Sequence, residues 1–380
     1  MKILYLSDHT PYNNTFIRQD IELISNIHEV YYYGFLSDKT KRTSYQTKHI
    51  KYPVNTFKSR IKWRLEKINM LFNWKNRKFS KNLSQEIQKI KPDIIHCQFL
   101  YESAKYFQNS KIETPVIVNI RGYGATNKIK NIKYKNWVEQ ISFSNKIYPI
   151  FVCEDLKINL LKKGIKFLNE GMVLKTGVDM IKFKRTNYNK QDQTTFIQVG
   201  SFNDKKGQSF TIKAFKKLVQ TTNKNVRLIF IGNGKNFERC KLLVKSLEIS
   251  QYVIFKGSMN QIEIINELNK ADIFVHHSVT AENGDKEGIP NSIAEAMSME
   301  MPILSTFHSG IPEIVESGKN GFLCQEKDVD EYFIQMKESI DWNFLKENRI
   351  KIRDSFEINK HIEKLLEFYQ YVYLSKNSIR

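Results

Sequence analysis

The chain has 380 residues, enough for two domains of ordinary size, and its 41% hydrophobic and 12% aromatic content suits a globular protein with real cores. Four scattered cysteines (Cys97, Cys153, Cys240, Cys324) with no C-x-x-C argue against a disulfide framework and a zinc site, and fit a reducing compartment. The net charge of +20 leaves three classes of partner open, namely nucleic acid, anionic lipid headgroups and an acidic substrate, beside a purely compositional origin in a Lys/Ile/Asn-rich sequence.

In chain order, Lys2 to Ser7 reads as a short buried strand, and the segment to His9 turns polar too soon for a signal peptide. A polar loop at Pro11–Asn14 and a helical period from Thr15 to Ile27 follow. Strand, loop and helix in this order open a doubly wound α/β domain, with ligands expected beyond the carboxyl end of the strand. His28–Tyr33 reads as the second strand. Lys39 to Lys91 then holds sixteen Lys/Arg against two acids, Glu66 and Glu86, with Trp63, Phe72 and Trp74 interleaved. This stretch predicts one or two helices after a loop and is the candidate contact for an anionic membrane surface. No nucleic-acid-binding fold motif is present, so nucleic acid is not the expected partner. No apolar run approaches the length of a membrane span. The expected location is cytoplasmic, with a peripheral contact at the inner face of the cell membrane.

Buried strands are expected at 92–97, 114–120 and 147–152, the last followed by a helix. The 114–120 strand ends in a loop, Arg121-Gly122-Tyr123-Gly124, where Arg121 is either a sugar or phosphate contact or a surface ion-pair partner. Lys184 to Thr194 is polar and lacks periodicity, which places the domain boundary there. Domains are expected at 1–184 and 185–355, with 356–380 as a final helix. Strands at 195–200, 226–231, 253–257 and 272–278 belong to the second domain. Between the first of these and the helix from Ser209 lie Lys205 and Lys206, well placed for a diphosphate. Gly232-Asn233-Gly234 lacks the third glycine of a dinucleotide fingerprint. Asp328-Val329-Asp330 reads as a helix N-cap rather than a metal site, His276 and His277 as strand-end residues, and His308 as a cleft residue.

The most informative stretch is Glu287-Gly288-Ile289-Pro290-Asn291-Ser292-Ile293-Ala294-Glu295. Two carboxylates flank a turn dipeptide and the start of a helix. Asn291 or Ser292 is the expected N-cap, and the free N–H groups of the first turn form an anion site best suited to phosphate. The alternative is a solvated helix start with two surface glutamates.

Glu287 and Glu295 with seven residues between them, then Met301-Pro302-Ile303-Leu304-Ser305-Thr306, Ser309-Gly310-Ile311-Pro312-Glu313 and Gly318-Lys319-Asn320-Gly321-Phe322, resemble the E-x7-E signature region of family 4 retaining glycosyltransferases. The resemblance implies a GT-B fold, two Rossmann-like domains facing across a cleft, and a last helix that crosses back to the first domain. It implies transfer of a hexosyl group from a nucleoside-diphosphate sugar, UDP- or GDP-linked, to a hydroxyl of a saccharide or lipid-linked saccharide in surface polysaccharide synthesis. Carried over, Glu295 holds the ribose hydroxyls, Glu287 contacts the sugar, and Gly288 to Ser292 offer backbone amides. Lys206 clamps the leaving diphosphate. Gly232 and the backbone at Lys256 lie by the donor. Ser201 stands where the family has arginine, so Lys205 or Arg121 substitutes or donor binding is weaker. Gly124 replaces an aspartate, Cys153 a serine and Thr176 an asparagine. No metal and no cofactor are expected, since cationic side chains and a helix dipole supply the positive charge. Two rival readings are a non-catalytic GT-B scaffold binding a nucleotide or polyanion, and a nucleotide-sugar epimerase.

Overall fold

The computed structural model describes residues 1–7, 15–34, 48–51, 83–108, 113–189 and 192–377. Most of the basic 39–91 stretch, and with it the proposed membrane contact, lies outside these residues, as does the 11–14 loop.

Among the described residues, seven parallel strands form the first sheet: β1 Lys2–Ser7, β2 Glu29–Gly34, β3 Lys48–Lys51, β4 Ile94–Cys97, β5 Val116–Ile120, β6 Ile147–Phe151 and β7 Met172–Val173. Their spatial order is β3-β2-β1-β4-β5-β6-β7. Both faces are covered, and the alternation of side chains assigns each residue to one of them. Leu4, Leu6, Ile95, Val116 and Val118 enter one core. Ile3, Tyr5, Ile94, Ile117 and Ile150 enter the other, which also receives the final helix, Ile358–Asn377, through Ile358, Ile362, Leu365, Tyr369 and Val372. The Tyr369 hydroxyl lies 2.6 Å from His96 Nδ1 and 2.8 Å from the Tyr5 hydroxyl, inside that core. Within the basic stretch, residues 83–90 are helical, as expected, whereas Lys48–Lys51 is a strand paired in parallel with β2, where a loop was expected.

The second sheet has six parallel strands: β8 Gln193–Val199, β9 Asn225–Ile231, β10 Val253–Phe255, β11 Ile273–Val275, β12 Ile303–Thr306 and β13 Gly321–Cys324, in the order β10-β9-β8-β11-β12-β13. It too is doubly wound: Ile197, Ile229 and Ile231 face one core, and Phe196, Leu228 and Phe230 the other. The first of these cores also takes Val178, Met180 and Phe183, and Arg185 is buried with hydrogen bonds to the Leu268 and Ala271 carbonyls.

Two doubly wound domains facing across a cleft make this a GT-B fold. In each sheet the strand order reverses beside the first strand, at β1/β4 and β8/β11, which is where such sheets bind ligands.

Candidate active site

A cleft of about 730 Å3 opens between the domains, and its lining comes from the carboxyl ends of the strands on both sides. Phe99, Tyr101 and Glu102 follow β4; Arg121 to Gly124 follow β5; Gly200, Lys205 and Lys206 follow β8; Glu287 to Ser292 follow β11. Phe16, from the first helix, Thr15–Ser25, completes the first-domain wall.

The lysine pair is set by a short 3-10 turn, Asp204–Lys206, that ends at Gly207 in a left-handed conformation (φ 60°). A Cβ at Gly207 would stand 1.8 Å from the His277 carbonyl oxygen, so only glycine lets this turn pack onto the end of β11. Lys206 Nζ lies 3.1 Å from Glu287 Oε1. Lys205 Nζ lies 3.6 Å from the same oxygen and 3.0 Å from Asp285 Oδ2. Burial works to raise the Glu287 pKa, but Lys206 and Lys205 outweigh it and hold the carboxyl at about 2. Burial likewise lowers Lys205, and Glu287 and Asp285 more than reverse it, so its net shift is upward.

The peptide N–H of Glu287 donates to His308 Nε2 at 3.1 Å. His308 Nδ1 lies 2.6 Å from Glu326 Oε1, and Glu326 also accepts from the Thr280 N–H at 2.7 Å and the Thr280 hydroxyl at 3.0 Å. Burial raises the Glu326 pKa, and these hydrogen bonds bring it down to about 2. His308 is fully buried behind the Glu287 turn and does not line the cleft, which corrects its expected place. His276 and His277 directly follow β11 and are buried; dehydration pushes both down to about 3. The side chain of Asp328 accepts from the Glu331 N–H at 2.8 Å, as the N-cap of the Val329–Ser339 helix.

The helix after the turn is Asn291–Ser298, and its N-cap is Pro290, not Asn291 or Ser292. Proline has no N–H to leave unpaired and its extended ψ of 121° ends the turn, so both polar residues move into the first helical turn, facing the cleft. Among the described residues no side chain caps this end. Gly288 lines the cleft and also lets the turn approach the first domain, since a Cβ there would meet Val152 at 2.6 Å. Glu295, one turn into the helix, has no ion pair among the described residues, and burial alone raises its pKa to about 7. It does not line the cleft cavity.

Arg121 lines the cleft, donates to the Thr176 hydroxyl at 3.2 Å and stacks on Phe16, with its guanidinium carbon 4.2 Å from the ring centre. Burial lowers its pKa to about 10, which leaves it charged. The expected loop after it is a short helix, Gly122–Thr126, with Arg121 as N-cap. Three expected donor residues stand apart from the cavity. Ser201 is exposed and accepts from Asn203 Nδ2 at 2.9 Å. Gly232 packs its backbone against the Gly200 carbonyl. Lys256 turns to Glu267, 3.1 Å away, in a separate groove.

Sequence reasoning missed Asp285, Glu326 and the role of Glu313. Glu313 Oε1 accepts from the Glu154 N–H (2.8 Å), the exposed start of the first-domain helix Glu154–Lys162, and its other oxygen lies 3.2 Å from Lys175 Nζ. Ser309 donates to Asp155 at 2.9 Å beside it. Nothing local in a sequence announces a carboxylate that caps a helix of another domain. Phe99 and Tyr101 were findable, because they directly follow a buried strand.

Residues 179–367 match the family model described as Glycosyl transferases group 1. The chain is 31% identical over 205 residues to the putative colanic acid biosynthesis glycosyltransferase WcaL of Salmonella typhimurium, a match covering 51% of this chain and 50% of WcaL. It is 35% identical over 133 residues to the amylovoran biosynthesis glycosyltransferase AmsK of Erwinia amylovora, covering 35% of this chain and 32% of AmsK. The chain thus spans half or less of the length of these curated relatives. Anabaena HepE, solved in complex with UDP and glucose, superposes with a TM-score of 0.74 at 16% identity over 97% of this chain and 99% of HepE.

Proposed function

We propose that this chain, which carries the group 1 glycosyl transferase pattern over residues 179–367, transfers a hexosyl group with retention from a nucleoside-diphosphate sugar to a hydroxyl of a saccharide or lipid-linked saccharide. The observation that carries the reading is one cleft in which Lys205, Lys206 and the uncapped start of the Asn291–Ser298 helix converge at the carboxyl ends of strands from both sheets. A leaving diphosphate gathers negative charge in the transition state, and ammonium groups with aligned peptide dipoles are what stabilise it. The fold likeness to HepE, which was solved with UDP, and the likeness to WcaL and AmsK support a nucleotide-sugar donor and a role in surface polysaccharide synthesis.

In this reading Glu295 accepts the ribose hydroxyls, Lys206 and Arg121 meet phosphate or sugar, and Glu287 holds Lys206 in place and contacts the sugar. The leaving phosphate takes the acceptor proton, so no separate general acid and no metal is required. Gly288 to Ser292 offer backbone amides, Lys205 joins Lys206 at the diphosphate, and Gly232 and the Lys256 backbone stand at the donor's periphery. Residues 1–184 serve the acceptor, 185–355 the donor, and 356–380 tie the two together. The enzyme works in the cytoplasm, and the basic 39–91 stretch meets an anionic membrane surface.

A thermal-shift screen against UDP- and GDP-sugars, with and without EDTA, tests this. One clear upward shift, unchanged by EDTA, is expected and names the donor. No shift with any donor would move the reading to a scaffold without catalysis, with Ser201 marking the loss.

A further inference from the structure

We propose that His308 is a positioning residue for Glu287: with its proton held on Nδ1 by Glu326, its Nε2 anchors the Glu287 peptide N–H and thereby sets the carboxylate between the two lysines.

Each link is fixed by its donors and acceptors. Glu326 is an ionised carboxylate that already receives two hydrogen bonds from Thr280, so it can only accept. The 2.6 Å contact to His308 Nδ1 therefore carries the proton on the histidine. At the other ring nitrogen the partner is a peptide N–H, which can only donate, so Nε2 must be bare. A proton there would set two donors against each other at 3.1 Å. The ring is thus held in one orientation, with its proton on Nδ1, by a partner on each side. The ring is fully buried and packed inside the fold, so it cannot turn away to water.

The consequence reaches the cleft through the backbone. Glu287 has its N–H on His308, and the next carbonyl, of Gly288, accepts from the Gly310 N–H at 3.1 Å. Two successive anchors from the 308–310 segment therefore fix the turn. Its side chain then meets Lys206 at 3.1 Å and Lys205 at 3.6 Å. Glu326, on the far side of the histidine, is rooted in the second domain, where the neighbouring Lys327 N–H donates to His277 Nε2 at 3.0 Å. The anchor thus ties the turn to the scaffold of the second sheet.

The anchoring itself is independent of the chemistry proposed above, whereas its effect on turnover rests on that reading. Hydrogen–deuterium exchange over residues 284–292 and 15N shifts of labelled histidine read the first; release of the nucleoside diphosphate from UDP- and GDP-sugars reads the second. Wild-type protein is expected to show His308 with a bare Nε2. His308→Ala and Glu326→Ala should raise exchange at 284–292 about tenfold while the remainder of the second domain keeps its protection. His308→Gln places an amide oxygen near the former Nε2 and should recover most of that protection. Turnover should fall about tenfold in the Ala variants, and nucleotide affinity should weaken with it, because the loosened segment carries the Gly288–Ser292 amides and Glu287 holds Lys206. A proton found on Nε2, unchanged exchange at 284–292 in His308→Ala, or a uniform rise across the domain would overturn the proposal. If wild-type protein releases no nucleoside diphosphate from any UDP- or GDP-sugar while the exchange pattern is as stated, the anchor stands and the transfer reaction falls.

Discussion

Glu287 and Glu295 belong to one short segment, yet their surroundings drive them in opposite directions. Lys206 and Lys205 hold Glu287 at about 2, against the burial that works to raise it, and burial lifts Glu295 to about 7. Their spacing was legible in the sequence; the opposed ionisation was not, because it depends on a lysine pair eighty positions upstream and on the depth of the helix. A carboxyl with a raised folded pKa keeps its proton where the unfolded chain has lost it. Between about pH 4.5 and 7 the folded state therefore binds more protons, and Glu295 subtracts stability as pH rises through that window. Glu295→Gln should flatten this loss, measured as melting temperature at pH 5 and pH 8. The ionised form accepts from a ribose hydroxyl more strongly than the acid does, so UDP should bind wild type more tightly as pH rises from 6 to 8. Glu295→Gln should lose the part of that dependence that UDP's own phosphate does not account for, as isothermal titration can show. An identical pH dependence in both proteins would count against a ribose contact at Glu295.

At the scale of elements, helix starts do much of the positioning, and they are where the sequence reading was least secure. Asn291 and Ser292 have the chemistry of N-caps, but the proline before them ends the turn one residue early and leaves their amides toward the cleft. The basic stretch hid β3, since its sequence, Lys48-His49-Ile50-Lys51, shows no apolar alternation. The apolar runs of β1, β4, β5, β8 and β9 were plain because both faces of their sheets are covered. The helix Glu154–Lys162 begins against Glu313 of the other domain, with Lys175 closing the pair. Glu313→Ala should cost about 1–2 kcal/mol through the lost cap and ion pair. It should also widen the cleft, seen as a larger radius of gyration in solution scattering; an unchanged radius and melting point would refute this role. Gly207→Ala forces a left-handed residue against the His277 carbonyl. It should destabilise by more than about 2 kcal/mol and weaken nucleotide binding with it, because Lys206 hangs on that turn. Denaturant unfolding and a UDP titration measure the two effects.

For the whole molecule, the final helix makes the two halves one object. It leaves the second domain at Phe356 and seals a face of the first sheet, with the Tyr369 hydroxyl buried between His96 and Tyr5. Helical periodicity over 356–373 announced the helix, while its destination came from the resemblance and not from any residue pattern. Tyr369→Phe would leave both partners buried without that hydroxyl and should cost about 1–3 kcal/mol, with nucleotide affinity unchanged because the contact lies behind the sheet. Loss of nucleotide binding at unchanged stability would show that the helix belongs to the site itself. The central claim remains that the interdomain cleft holds a nucleoside diphosphate between the lysine pair and the helix of Glu295. The measurement that reaches it most directly is isothermal titration of UDP and GDP into wild type, Lys206→Ala and Glu295→Ala at pH 8. The account predicts saturable binding of one nucleotide to wild type and a loss of about tenfold or more in each variant, roughly one charge-assisted contact apiece. No binding of either nucleotide to wild type, or equal affinity in all three proteins, would contradict it.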